Sequence, residues 1–483
     1  MHWAAIFKVL GYLLMCLSLS HLPPMAIGWW YDETAYHPFV ISGLATLLSG
    51  ALLWWFTRNT RDEPRTRDGF LIVVLFWTVI SLFGALPFIV AETPHLSFAD
   101  AVFETISGLT TTGATVIRGL DALPKSILYY RQQLHLLGGM GIIVLAVAVL
   151  PMLGVGGLQL FRAETSGMNK EGKLTPRVAE TAKTLWFIYI ALTAACALSY
   201  RLNGMSNFDS ICYAFATLST GGFAPHDSNF AFYPQTSLKL WASLFMFLGG
   251  LNFSLHYLAL HNTSILTYWR NAEFRFFLKL QVAIVAAVVA VLMWKNVYPD
   301  AYTAFVETLF HVISISTTTG FVATDFGAWP IFVPILIMIG GLIGGCAGST
   351  TGGLKAIRIL VVMKQASREL HRLIHPNGEY ILKIDQKMLP DKVIDAVWGF
   401  IGVFAVLFCL FLFILMTCGL DFLSAFGAVV ASVANVGPGL GSVFWDYADL
   451  NDLAKWTLSF SMLVGRLEIF AVMVILTPAF WRQ

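Results

Sequence analysis

The feature that narrows the fold most is a set of apolar runs too long for any soluble core. From Ala396 to Leu420 no side chain carries a formal charge, and the stretch reads VWGFIGVFAVLFCLFLFILMT through its middle. A helix needs about 20 such residues to cross the hydrocarbon of a bilayer. Comparable runs fall at about 4–22, 38–56, 70–92, 184–201, 276–295 and 394–418, with further ones at about 132–153, 238–261, 331–362 and 454–480. The chain is 57% hydrophobic and 12% charged, against about 25% charged in a soluble domain. These are the marks of an all-α polytopic membrane protein, with ten spanning helices expected.

The net charge of +2 says little, but the placement of charge says more. Most basic residues gather between apolar runs: Arg58, Arg61, Arg65 and Arg67; Arg162, Lys170, Lys173, Arg177 and Lys183; Arg270, Arg275 and Lys279; and the stretch from Lys355 to Lys392. The positive-inside bias places these loops, and both termini, in the cytoplasm. The start of the chain is like a signal peptide, with Lys8 before an apolar run, but it lacks a small-residue cleavage site before Pro23-Pro24, so the first helix is expected to be retained. The six cysteines lie scattered in apolar stretches without CxxC spacing, and buried small hydrophobes are expected of them.

Four odd interruptions stand between the runs: LTTTGAT from Leu109, LSTGGF from Leu218, STTTGF from Ser316 and ANVGPG from Ala434. Aligned on Gly113, Gly222, Gly320 and Gly437 they recur at intervals of 109, 98 and 117 residues, so the chain is a fourfold repeat. Thirteen positions before each glycine stand Asp100, Asp209, Glu307 and Ser424, residues suited to starting a helix. Each unit therefore reads as a spanning helix, a short helix of about ten residues that cannot span, a Thr/Gly turn and a second spanning helix. The expected organisation is two leading helices over 1–66 and repeats over 67–165, 166–268, 269–365 and 366–483, pseudo-fourfold around one central pore.

Non-helical backbone at membrane depth survives only where it is buried in protein or lines a water-filled cavity. Four re-entrant turns meeting on one axis satisfy that demand together, and their carbonyls can replace the water shell of a cation. Glycine reaches left-handed angles without a Cβ clash, threonine holds extended backbone, and each short helix aims its negative end at the axis. No ring of Arg or Lys lines the turns to suit an anion.

Helix, pore helix, glycine turn and helix, four times over after two leading helices, resembles the membrane subunit of the bacterial Trk potassium uptake system. The wider family includes the Ktr and plant HKT transporters. The resemblance runs along the whole chain and implies K⁺ as transported ion. It implies a filter of Thr111, Thr112 and Gly113; Thr220, Gly221 and Gly222; Thr318, Thr319 and Gly320; and Asn435, Val436 and Gly437. These turns are simpler than the TVGYG of potassium channels, which implies looser discrimination. In plant relatives serine at the first filter position goes with sodium preference, and this chain has Gly113 there.

Two features depart from a plain pore. GGLIGGCAGSTTGGLK, Gly340 to Lys355, falls where a spanning helix is expected, and each internal glycine costs a helix about 1 kcal/mol. A broken helix is expected there, with a loop over Gly340, Gly341, Gly344, Gly345, Gly348, Ser349, Thr350, Thr351, Gly352 and Gly353; the resemblance implies that this loop is a gate beneath the filter. The second is Arg466. The second helices carry Gly138-Gly139, Gly249-Gly250, Gly340-Gly341 and Gly465-Arg466, so repeat symmetry places one arginine near the axis, where an intramembrane charge is costly and usually functional. Two readings coexist, a cation in the permeation path and a salt bridge to Glu468 or another carboxylate.

A sodium-permeable or Na⁺/H⁺-coupled cation transporter is an alternative, and a small-solute secondary transporter a weaker one, since transporter repeats are usually fewer and inverted. HExxH, GxSxG and Walker sequences do not occur, so no enzyme is expected and no organic cofactor. His135, His256 and His311 stand singly in apolar segments and read as satisfied core residues. The longest basic loop, about 363–393, is too short for a domain. The resemblance implies a homodimer in the bacterial inner membrane with a cytosolic nucleotide-binding regulatory subunit docked near the Lys355–Lys392 stretch, which would equally meet anionic lipid; nothing points to nucleic acid.

Overall fold

The computed structural model describes residues 1–33, 36–60, 65–144, 174–330, 332–385 and 387–482. The leading helices Trp3–Leu19, prolonged by Leu22–Trp30, and His37–Thr57 lie side by side. They cross at Gly11 and Gly50, where a Cβ on either would come within 2.9 Å of the other's carbonyl oxygen. Four helix–pore helix–helix repeats follow. Their first helices are Thr66–Gly84 with Leu86–Val90, Leu174–Leu202, Ala272–Trp294 and Asp391–Thr417. Their pore helices are Phe98–Leu109, Asn207–Leu218, Ala301–Ser316 and Phe422–Val433.

Among the described residues six helices are singly long and apolar enough to cross a membrane, or eight if two bent pairs each count as a span. The other two of the ten expected spans are the second helices of the first and third repeats. The first runs Lys125–Val144, and its expected continuation to about 153 lies outside the described residues, as do Arg162, Lys170 and Lys173. The other is broken after Ile343 and resumes as Ala356–Ile374. The only strands described are a short antiparallel ribbon, Lys383–Ile384 against Lys387–Met388, within the basic stretch.

Each pore helix starts where a side chain can take up an orphan N–H. Ser97 accepts from the Asp100 N–H at 3.2 Å and Ser206 from Asp209 at 3.0 Å. Asp421 accepts from Leu423 and Ser424. The third repeat differs from expectation. Its helix starts at Ala301, capped by Asp300 on Thr303 at 2.7 Å, and is 16 residues long against 12 in the others. Glu307 is therefore well inside the helix and not at its start, and it pairs with Lys239.

Two second helices expected to run straight are broken. Thr236–Gly249 and Phe253–His261 meet at 94°, and Asp452–Arg466 and Ile469–Leu476 at 112°. In the first, Asn252 caps the new helix on Ser254 at 2.8 Å, while the freed Gly250 carbonyl accepts from Cys346 N–H at 2.9 Å. In the second, Glu468 takes a left-handed angle, φ 62°, and its carboxylate reaches Arg358 at 2.5 Å. The cysteines are only partly as expected. Cys196, Cys212 and Cys346 are buried, but Cys418 is half-buried and Cys16 and Cys409 are exposed.

Buried polar ties clasp neighbouring repeats. Lys239, on the second helix of repeat two, bonds Glu307 on the pore helix of repeat three. Lys455, on the second helix of repeat four, reaches Asp100 on the pore helix of repeat one at 2.6 Å. Both lysines stand ten residues before a crossing glycine, Gly249 and Gly465. Removing one partner of the buried Lys239–Glu307 pair costs about 3–5 kcal/mol, because the other charge is left alone. Repeats one and two are also tied by His226, whose Nδ1 meets Asp121 at 2.5 Å and whose Nε2 lies 3.5 Å from Asp209.

That tie titrates. Burial works to lower the His226 pKa, but bonds and charge from Asp209 and Asp121 outweigh it and hold the ring above its ordinary 6.5. A raised folded pKa gives stability that is complete below 6.5 and lost as pH climbs through the folded value. The unfolding midpoint of the wild type is expected to exceed that of His226→Gln at acid pH, with the gap shrinking as pH rises through this window. A gap that stays constant from about pH 5 to 9 would contradict the assignment.

Candidate functional site

The four turns share one backbone path. Two residues before each glycine the chain turns left-handed, at Thr111 (φ 51°), Thr220 (53°), Thr318 (55°) and Asn435 (54°). The next residue's N–H reaches back to the pore helix: Thr112 to Ser107, Gly221 to Ala216 and Thr319 to Ser314 at 2.8 Å, and Val436 to Ala431 at 2.7 Å. This is a Schellman ending, whose left-handed residue is usually glycine. A β-branched residue there is an outlier that costs of order 1–3 kcal/mol. Three threonines and an asparagine in register at that place mark strain that the surroundings enforce, and such strain gathers at functional sites. The glycines are left-handed again, at φ 84°, 82°, 78° and 99°, so the hand alternates along each turn and successive carbonyls can face one side.

Repeats interlock through these glycines. A Cβ on Gly113 would lie 2.0 Å from the Gly221 carbonyl oxygen, on Gly222 2.1 Å from Thr319, on Gly320 2.0 Å from Val436, and on Gly437 2.5 Å from Thr112. Each glycine abuts the carbonyl of the next repeat, in the order one, two, three, four and back to one. Eight of the twelve turn residues named from the sequence, Thr112, Gly113, Gly221, Gly222, Thr319, Gly320, Val436 and Gly437, meet in these four contacts, and the threonines, Asn435 and Val436 are at most 1% exposed.

On the side away from the basic loops, the glycines line a cavity with Arg131, Asp227 and Tyr447. Side chains hold the chain leaving each turn. Tyr447 donates its N–H to Thr115 O and its hydroxyl to Gly437 O, both at 2.8 Å. His311 Nε2 accepts from Ala323 and Thr324 N–H at 3.2 Å. Glu104 accepts from Val116 N–H at 2.9 Å and pairs with Arg131 at 2.8 Å, both side chains fully buried. The sequence reading passed over Glu104 and Arg131, and the signal was the one used for Arg466: a charge inside an apolar segment. His135, His256 and His311 all have partners, as expected of core histidines.

On the other side lies the glycine-rich break. Gly340 and Gly341 belong to the helix Phe332–Ile343 and not to the loop; Gly341 is small because Ile315 O would stand 3.0 Å from a Cβ. The loop runs from Gly344, with left-handed Gly344, Gly348 and Gly353 at φ 73–74°. It docks directly on the turns. The Thr350 hydroxyl stands 3.0 Å from Leu218 O, 3.1 Å from Gly249 O and 3.2 Å from Thr220 Oγ1. Gly352 donates its N–H to Thr318 Oγ1 at 2.8 Å. Glu273 accepts from Ala347 and Ile357 N–H, at 2.7 and 3.2 Å, and so ties the two sides of the loop.

Arg466 is 4% exposed and donates through Nη1 to Thr350 O at 2.8 Å. The salt bridge to Glu468 does not form, because Glu468 is turned to Arg358. Nε and Nη2 of Arg466 have no hydrogen-bond partner among the described residues. A guanidinium thus sits against the loop beneath the ring.

Comparison with known proteins agrees with this architecture. Residues 36–482 match the TrkH family model, described as cation transport protein. Over the full length of both chains, the sequence is 48% identical to a Trk system potassium uptake protein TrkH of Vibrio parahaemolyticus and 46% identical to that of Escherichia coli. The crystal structure of the potassium transporter TrkH from Vibrio parahaemolyticus superposes with a TM-score of 0.93 at 46% identity, covering all of both chains. With a family match over nearly its whole length and end-to-end relatives of this identity, the chain belongs to the TrkH family of cation transport proteins.

Proposed function

We propose that this chain carries K⁺ into the cell across the bacterial inner membrane, through a filter formed by Thr111–Gly113, Thr220–Gly222, Thr318–Gly320 and Asn435–Gly437. The observation that carries the reading is the closed ring in which every turn glycine abuts a carbonyl of the next repeat. A cage of backbone carbonyls held by its neighbours on all sides replaces the hydration of a large monovalent ion and resists shrinking around a smaller one. The relatives' names, as potassium uptake proteins, support the same ion. K⁺ is the cargo, and among the described residues no cluster of His, Cys, Asp or Glu is arranged to hold a resident metal ion.

The loop from Gly344 to Gly353 and Arg466 act as the gate in this reading. The loop hydroxyl and N–H groups occupy Thr220 and Thr318, and Arg466 adds positive charge where a cation must pass. With the basic loops facing the cytoplasm, the helix Ala356–Ile374 carries the loop toward the cytosol and ends in the exposed Leu370, Leu373 and Ile374. A cytosolic nucleotide-binding regulatory subunit docking on this stretch would pull on the gate, and the membrane unit works as a homodimer. Both termini lie in the cytoplasm.

Reversal potentials of the purified chain in planar bilayers test the ion. K⁺ and Rb⁺ are expected to permeate better than Na⁺ and Li⁺, and Gly113→Ser to lower the K⁺/Na⁺ ratio, since its Cβ needs the space of the Gly221 carbonyl. Equal permeability to K⁺ and Na⁺ in the wild type would refute the filter.

Arg466→Ala, or removal of residues from the Gly344–Gly353 loop, is expected to raise flux on the order of tenfold while leaving selectivity in place, because a like charge is taken from the path. The loop carries little side-chain area, so its shortening removes little apolar burial. Monodisperse variants that conduct no faster than wild type would make the loop a structural kink.

A further inference from the structure

Resting on the filter reading above, we infer that His135, which lies outside the four turns, is a positioning residue that holds the second repeat's filter strand and thereby sets cation selectivity. His135 is on the second helix of repeat one and is fully buried. Its Nδ1 lies 2.8 Å from the Gly108 carbonyl oxygen, at the end of its own pore helix. Its Nε2 accepts the N–H of Phe223, the residue after the filter glycine of repeat two, at 3.1 Å. A carbonyl only accepts and a backbone N–H only donates, so the ring is neutral with its proton on Nδ1. One imidazole therefore bridges the pore helix of one repeat to the filter of the next.

The four repeats of this chain are an internal comparison. The residue before the filter glycine is Thr112, Thr319 or Val436 in three repeats and Gly221 in the second. Three residues before the first small residue of each spot, Gly138, Gly249, Gly340 and Gly465, stand His135, Met246, Ile337 and Met462. The repeat whose filter has lost its branched side chain is the one backed by a histidine, and the structure gives the reason. A Cβ on Gly221 would lie 2.5 Å from the imidazole Cγ and 2.6 Å from Nδ1, so the ring fills the space of the missing side chain.

The histidine also replaces a lost tether. Thr112 and Thr319 tie their turns down through hydroxyl contacts to Thr110 and Thr317, at 2.7 and 2.9 Å. Gly221 has no hydroxyl to offer, and His135 holds the strand from outside. Arg131, one helical turn earlier, extends the hold, donating to Ala224 O at 3.0 Å with its guanidinium 4.2 Å from the Phe223 ring centre. The Gly221 carbonyl is the one that abuts Gly113, so slack in this strand passes straight into repeat one. A slack carbonyl can follow a smaller ion inward, and the preference for K⁺ falls.

The test uses the full chain in planar bilayers, with K⁺/Na⁺ permeability ratios from reversal potentials and Gly113→Ser as the control of the filter itself. His135→Met installs what two other repeats carry, leaves the Phe223 N–H unpaired, and is expected to lower the ratio by about fivefold or more. His135→Gln, whose amide can both donate to Gly108 and accept from Phe223, is expected to keep the ratio within about twofold of wild type. Adding Gly221→Thr to His135→Met restores the pairing of apolar backing with a branched filter residue and is expected to recover part of the loss. A His135→Met protein with an unchanged ratio, beside a Gly113→Ser protein that has lost selectivity, overturns the role of His135 and leaves the filter standing. Unchanged ratios in both overturn the filter reading as well. If His135→Met does not fold, Gly221→Ala decides the matter, because its methyl displaces the imidazole, and an unchanged ratio there overturns the inference.

Discussion

Everything in this molecule is arranged around four contacts between a glycine Cα and a neighbouring carbonyl oxygen. Each leaves no room for a Cβ, and each joins one repeat to the next, so the ring closes only if all four turns keep the same left-handed path. That path is unfavourable for threonine, and the surrounding structure supplies what the turn lacks: pore helices capped at their far ends, second helices that cross their near ends, and side chains such as Tyr447 and His311 that grip the exits. The crossings demand small residues for the same reason, since a Cβ on Gly138 or Gly465 would meet the Leu109 or Val433 carbonyl oxygen at 1.9 and 2.0 Å.

Much of this was legible in the sequence because it rests on periodicity and on rare residues. Apolar runs of bilayer length, four Thr/Gly turns at matched distances and one arginine in a glycine position need no tertiary information. What escaped was set by contacts between repeats. The third pore helix starts earlier than its fellows because Asp300 caps it, and a spacing shared by all four repeats places Glu307 wrongly at its start. The breaks after Gly249 and Arg466 were hidden because each half is apolar and helical on its own; only the docked loop, which takes up the Gly249 and Gly250 carbonyls, and the Arg358–Glu468 pair explain them.

The buried charges show the same limit. Arg131, Lys239 and Lys455 stand apart from the basic loops that the sequence marks, and each finds a carboxylate on a pore helix, Glu104, Glu307 and Asp100. A single sequence shows the cost of such a charge and not its partner. Arg466 is the exception in kind, since its charge meets a carbonyl and no acid among the described residues.

The seams between repeats are unequal, and one of them has a direction. Repeats two and three, and four and one, are clasped by lysine–carboxylate pairs, while one and two share Arg131, His135 and His226. Between three and four the cavity side is oily, with Phe326 against Phe444 at 5.0 Å, whereas the loop side is crossed by Arg466 on Thr350 and Arg358 on Glu468. Apolar contacts tolerate a small rotation, but charged ones at fixed geometry do not. This seam is therefore asymmetric, with an apolar contact that tolerates sliding at the cavity side of the ring and a pair of directional charged contacts at the loop side.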